Sequence, residues 1–173
     1  MKRLFVFSLV ILLSACGTSY RDRAEPITSV ANFDAQKYAG LWYEVARFPV
    51  WFQEGCTNTQ AEYVPLEEGV LGVRNACFRD NELSVIEGKA RVSGPGRLKV
   101  RLGFMPFAGN YWVLWVDEDY RTAVVGTPSG RAGWILNRTP DISEDRLEAA
   151  KAVLSFNGYD VSALELTQQE GVE

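Results

Sequence analysis

The chain of 173 residues contains no histidine. That removes the usual general base, the commonest metal ligand and any Ser-His-Asp arrangement. The acid–base candidates that remain are Glu44 and Tyr111. A glutamate enclosed by apolar surroundings without a partner would have a raised pKa, so Glu44 could act as an acid or base on a lipid-like substrate. Of the three cysteines, Cys16, Cys56 and Cys77, no two form a C-x-x-C pair, and no zinc site is expected. Lys and Arg number 18 against 22 Asp and Glu, with no basic run, which argues against nucleic acid as a partner.

Export decides how the cysteines read. Lys2 and Arg3 precede a short apolar run, Leu4 to Leu13, and small residues follow at Ser14 and Ala15. This is a signal-peptide pattern, and the run is too short to span a bilayer as a helix. Leu13-Ser14-Ala15-Cys16 resembles the lipobox of bacterial lipoproteins. The resemblance implies that residues 1–15 are removed and that Cys16 becomes an acylated (palmitate-type) first residue, anchoring the mature chain in a membrane. Gly17 is unlike the acidic inner-membrane retention signal, which favours the outer membrane. Residues 16–32, polar and irregular, read as a lipidated tether. In an oxidising compartment Cys56 and Cys77 are expected to form a disulfide, with two separate buried thiols as the alternative. A hairpin turning near Pro65–Gly69 would bring them opposite each other.

The elements that position these groups are short strands. Runs near 41–48, 57–64, 70–78, 83–92, 97–104, 110–117, 121–126 and 132–137 alternate with turn-rich links such as RDNE, SGPG and TPSGRAG. The predicted fold is all-β, an eight-stranded antiparallel up-and-down β-barrel, which closes both sheet edges. One C-terminal helix is expected within 141–158, capped by Asp141 or Ser143 and stopped at Gly158. A last short strand could follow at 161–166. YWVLWV (111–116) and WIL (134–136) are apolar on both faces, so the helix should cover their outer side. The domain is placed at 33–168, with 169–173 as a tail.

Three motifs then combine. Gly40-Leu41-Trp42 opens the first strand, Asp119-Tyr120-Arg121 lies in a turn before the seventh, and Trp134-Ile135-Leu136-Asn137-Arg138-Thr139-Pro140 closes the eighth. Together they resemble the three motif regions of the lipocalins, and the string YAGLWYEVARFP is similar to bacterial outer-membrane lipocalins and apolipoprotein D. The resemblance implies that Trp42 lies across the closed end of the barrel with Arg138 over its ring, a structural pair. It also implies an apolar cavity for a fatty acid or lysophospholipid, with Tyr111 and Trp134 lining it. Strand alternation from these anchors puts Val113 and Trp115 on the inner face with Tyr111, Glu44 and Ala46 with Trp42, and Tyr63 with Ala61. Such a site requires no cofactor, metal or catalytic residue. A barrel filled by its own side chains and used as a protein-interaction module is the other reading.

The same topology puts RFPVWFQEG (47–55) and FMPFAGN (104–110) at the open end. Trp51, Phe52, Phe104, Met105 and Phe107 are therefore expected at the mouth, as a packed lid or a membrane contact. The expectation is a lipid-anchored binding protein of the outer membrane, on its periplasmic face, whose partners are a small hydrophobic ligand and the membrane itself.

Overall fold

The structure, a computed structural model, describes residues 18–103 and 105–169. The expected signal segment, Cys16, Phe104 and residues 170–173 lie outside the described residues. Eight strands follow one another: β1 (Gly40–Arg47), β2 (Thr57–Glu67), β3 (Val70–Arg79), β4 (Glu82–Gly94), β5 (Arg97–Leu102), β6 (Gly109–Val116), β7 (Thr122–Gly126) and β8 (Gly133–Asn137). Each pairs antiparallel with its sequence neighbours, and β1 closes the ring by pairing with both β2 and β8. A helical turn, α1 (Ala35–Tyr38), precedes β1; the Asp34 carboxylate accepts from the Gln36 and Lys37 amides and so caps it. The C-terminal helix, α2 (Glu144–Phe156), starts at Ser143 and packs outside β6 and β7. Of the expected last strand only β9 (Glu165–Leu166) forms, beside the outer half of β1.

The two-faced strands do what their composition requires. Trp42, Tyr63, Leu71, Val73, Leu98, Val113, Val125 and Leu136 pack inside the barrel. Phe48, Leu114, Val124 and Ile135 face outward against Ala150, Leu154 and Tyr159. β7 serves both layers and is buried from Thr122 to Gly126. At the closed end the Arg138 guanidinium lies 3.7 Å from the centroid of the Trp42 ring.

Two bulges correct the alternation. On β1 the pairing with β8 slips between Glu44 and Ala46. Glu44 stands opposite inward Leu136, but Ala46 stands opposite Ile135 and belongs to the helix-side layer. On β6 the slip lies between Val113 and Trp115, and Trp115, opposite Val124, packs under the helix layer too. An extra residue reverses the face of those that follow it, so Ala46 and Trp115 are not cavity residues. Arg47, opposite Trp134, turns toward Glu44 instead.

The expected tether is also different from its composition. Residues from Ser19 onward run along the outside of the barrel as a strap. The Tyr20 amide donates to Gly130 and its ring stacks on Phe48 at 5.1 Å. Arg21 is buried, donating to the Asn157 carbonyl at 2.7 Å, and Val30 donates to Val113 at 2.9 Å. The polar, irregular composition hid this role, which backbone bonds share with the docked side chains of Tyr20 and Arg21. The C-terminal residues are similarly engaged. Thr167 donates to Val45, Asn58 donates to Gln168, and the Gln169 amide bridges the carbonyls of Glu44 and Thr59. They fill the gap where β2 diverges from β1, so Gln169 is part of the wall and not of a tail.

Cys56 and Cys77 are bonded, with S–S 2.02 Å and Cα atoms 5.5 Å apart. The bridge ties the loop after β1 to the mouth end of β3. It closes a loop with a sequence separation of 21, worth about 3 kcal/mol in the chain-entropy model. Cys56→Ala/Cys77→Ala should therefore melt roughly 6–12 °C lower. An unchanged melting temperature would mean that the loop is held by its other contacts, such as the Arg79 guanidinium on the carbonyls of Phe52 and Glu54.

Candidate functional site: the barrel interior

Inside the barrel, polar groups form two sets at different heights. The lower set is built on α1, β2 and β6. Tyr38, raised into the barrel by α1, places its hydroxyl 2.7 Å from that of Tyr111, and the Tyr63 hydroxyl donates to Tyr111 at 2.9 Å. Tyr38 packs on Trp42 at 5.0 Å and Phe33 at 5.2 Å, so this cluster lies just above the floor. Burial pushes all three phenols up, Tyr63 to about 12 and the other two well above the ordinary value. They are neutral hydroxyls at physiological pH.

The upper set reaches the mouth. Tyr111 stacks on Trp134 at 6.2 Å. The Trp134 indole donates to the Gln53 carbonyl oxygen at 2.8 Å, and the Gln53 amide nitrogen donates to Glu44 at 2.7 Å. An indole can only donate and a carboxylate can only accept, which fixes the orientation of the Gln53 amide. The other Glu44 oxygen accepts from Thr167 at 2.6 Å and from Arg47 at 3.3 Å. Both oxygens are thus occupied, and nothing in this arrangement presents Glu44 as a free base.

Burial is the largest influence on Glu44 and raises its pKa; Thr167, Gln53 and Arg47 pull it down and only partly offset that. The folded state therefore holds this proton more tightly than the unfolded chain. Its contribution to stability is full below the ordinary carboxylate range and is lost as pH rises through the raised value. In urea titrations at successive pH values, Glu44→Gln should gain on the wild type as pH rises from about 4 toward neutrality, by at most about 1.4 kcal/mol per pH unit. A variant that loses ground over that interval would show the ion pair with Arg47 outweighing burial.

Most of the remaining lining is apolar. Val113 is fully buried, while Val100, Leu102, Tyr111 and Trp134 pack on the inner core yet stay partly exposed. At this level, toward the mouth, the inward side chains are less tightly enclosed than those on the floor. At the rim, Trp51 is 81 % exposed and Phe107 82 %, with Phe52 and Met105 about half exposed. Trp51 and Phe52 contact each other edge to face at 5.7 Å, but they do not close over the opening as a buried lid. Sequence reasoning missed Tyr38, Gln53, Arg47 and Thr167. Tyr38 carries a signal only in hindsight, as the tyrosine two residues before Gly40; the other three depend on loop and chain-end placement.

A family model described as a lipocalin-like domain matches residues 33–169. The chain is a lipocalin. It is 38 % identical over 164 residues to outer membrane lipoprotein Blc of Escherichia coli strain K12, covering 92 % of each chain. It is 34 % identical over 151 residues to temperature-induced lipocalin-1 of Arabidopsis thaliana, covering 81 % of each. With apolipoprotein D of Bos taurus it shares 35 % over 149 residues, covering 80 % of this chain and 78 % of that one. Among solved structures, insecticyanin of the tobacco hornworm Manduca sexta superposes with a TM-score of 0.66 at 20 % identity, covering 87 % of this chain and 86 % of the other. That likeness is one of fold. Lipocalins are in general binding proteins for small hydrophobic molecules and not enzymes.

Proposed function

We propose that this lipocalin binds, and carries or stores, a fatty acid or lysophospholipid at the bacterial outer membrane, anchored on the periplasmic face through acylated Cys16. The observation that carries the reading is the mostly apolar inner face above the tyrosine cluster, where Val100, Leu102 and Trp134 stay partly exposed. A buried tail of some ten methylenes would contribute roughly 8 kcal/mol before ordering costs. The similarity to outer membrane lipoprotein Blc supports the location.

The strap supports the anchor's geometry. Tyr20 is bonded to Gly130 in the loop between β7 and β8 and to Pro49 after β1, both at the mouth end. The exposed rim of Trp51, Phe52, Met105 and Phe107 is at the same end as Tyr20, the end from which an anchored segment would lead to the membrane. An aromatic rim at that boundary suits direct exchange of a lipid with the membrane.

Native mass spectrometry of the mature domain, with Cys16 replaced, tests this against a panel of fatty acids and lysophospholipids. A one-to-one adduct is expected, weakened at least tenfold in Trp134→Ala and Tyr111→Ala. No adduct from any lipid with the fold intact would favour the filled barrel and make the rim a protein contact.

A further inference from the structure

The tyrosine cluster has one proton too many. Three hydroxyls carry three protons, and the structure joins them by two hydrogen bonds, Tyr63 to Tyr111 and Tyr111 with Tyr38. Whichever of Tyr38 and Tyr111 donates in the second bond, one O–H is left over. Among the described residues no carbonyl, carboxylate or hydroxyl accepts it. Asn75, further toward the mouth on the inward face of β3, has a buried Oδ1 that makes no hydrogen bond at all. Tyr38 is 0 % and Tyr63 3 % exposed, and the side chains packed around them are apolar or aromatic. A buried donor without an acceptor is costly, and a bound molecule that supplies the acceptor recovers that cost.

We infer that the cluster of Tyr38, Tyr63 and Tyr111 is a subsite for a neutral acceptor oxygen, and that the ligand lies with its carbonyl inward and its hydrocarbon toward the mouth. This rests on the carrier reading above and narrows it. Among the described residues no cation beside the cluster is free to meet a buried anion. The Arg138 guanidinium lies on Trp42 and is spent on the carbonyls of Lys37, Ala39, Leu41 and Tyr120. A carboxylate would arrive without a counterion, and the charged head of a lysophospholipid would be buried at still greater cost. An ester, an amide or a protonated fatty acid meets one hydroxyl donor without that penalty. The apolar remainder then passes Trp134 toward the exposed aromatic rim, which the opposite orientation would leave facing a polar head.

Methyl laurate labelled with carbon-13 at its carbonyl, and an alkane of matched length, provide the test. In wild-type protein the bound ester should show its carbonyl stretch shifted to lower frequency than in hydrocarbon solvent. Its affinity advantage over the alkane should fall about tenfold in Tyr38→Phe/Tyr63→Phe/Tyr111→Phe, with the shift lost. Should the triple variant fail to fold, the wild-type infrared band alone decides. An unshifted carbonyl, or an advantage unchanged in the variant, overturns the subsite and leaves the carrier reading standing. Binding of neither compound, nor of any lipid in the panel, overturns both.

Discussion

Arg138→Met is expected to lower the melting temperature of the domain by roughly 8–16 °C. The side chain looks half surface-bound, and its exposure alone would suggest a mild effect. Its contacts say otherwise. One guanidinium donates to the carbonyls of Tyr120, Leu41, Lys37 and Ala39 at 2.8–3.1 Å, and its face covers Trp42. Those carbonyls belong to α1, the start of β1 and the turn before β7, three parts of the chain with no strand pairing to one another at this point. Methionine keeps much of the stem and some contact with the indole but returns none of the hydrogen bonds. Charged hydrogen bonds contribute about 1.5–3 kcal/mol each, with strong overlap when one group makes several, so a net loss of about 4 kcal/mol is expected. Arg138→Lys should recover only a minor part, because a point charge cannot serve four acceptors and a ring face together. Thermal unfolding followed by circular dichroism decides the matter. A fall of less than about 3 °C would mean that water replaces the guanidinium at little cost.

Phe48→Ala should have an effect of similar size and a more local signature. Phe48 is fully buried and lies between Tyr20 of the strap and Tyr159 after α2, with ring centroids 5.1 and 5.0 Å away. Gly133 comes close enough that an added Cβ would sit 3.1 Å from the ring. One side chain therefore joins strap, barrel wall and the end of the helix. Removing it should cost about 3–5 kcal/mol. The loss should fall first on the strap, whose remaining hold near Tyr20 is a few hydrogen bonds. Trypsin should then cut after Arg21 and Arg23 at rates that leave the barrel intact. Cleavage confined to global unfolding would show that the backbone bonds to Gly130 and Val113 hold the strap unaided.

The sequence made the strands legible because turn residues and apolar runs report local constraints. It also made the closed end legible, since the motifs holding Trp42 and Arg138 resemble those of the lipocalins. Their contact is now seen directly, as is the disulfide. The faces were legible only up to the first irregularity. Nothing in YEVA or VLWV marks the extra residue that turns Ala46 and Trp115 outward, because a bulge is chosen by the register of the partner strand. The strap was misread for a related reason: its hold depends on backbone bonds and on where Tyr20 and Arg21 dock, and composition is silent about both. Tyr38 was missed because its reach into the barrel depends on a four-residue helical turn beneath it.

The last described residues have a bearing on how the barrel comes together. Beyond Tyr43, β1 leaves its pairing with β2, and Thr167, Gln168 and Gln169 supply the missing partners. A chain that reaches its compartment N-terminus first holds one edge of its opening strand unsatisfied until residues 167–169 arrive. Closure is thereby coupled to a segment that lies beyond the helix. A product cut short after the helix retains every strand of the ring and still cannot seal its wall.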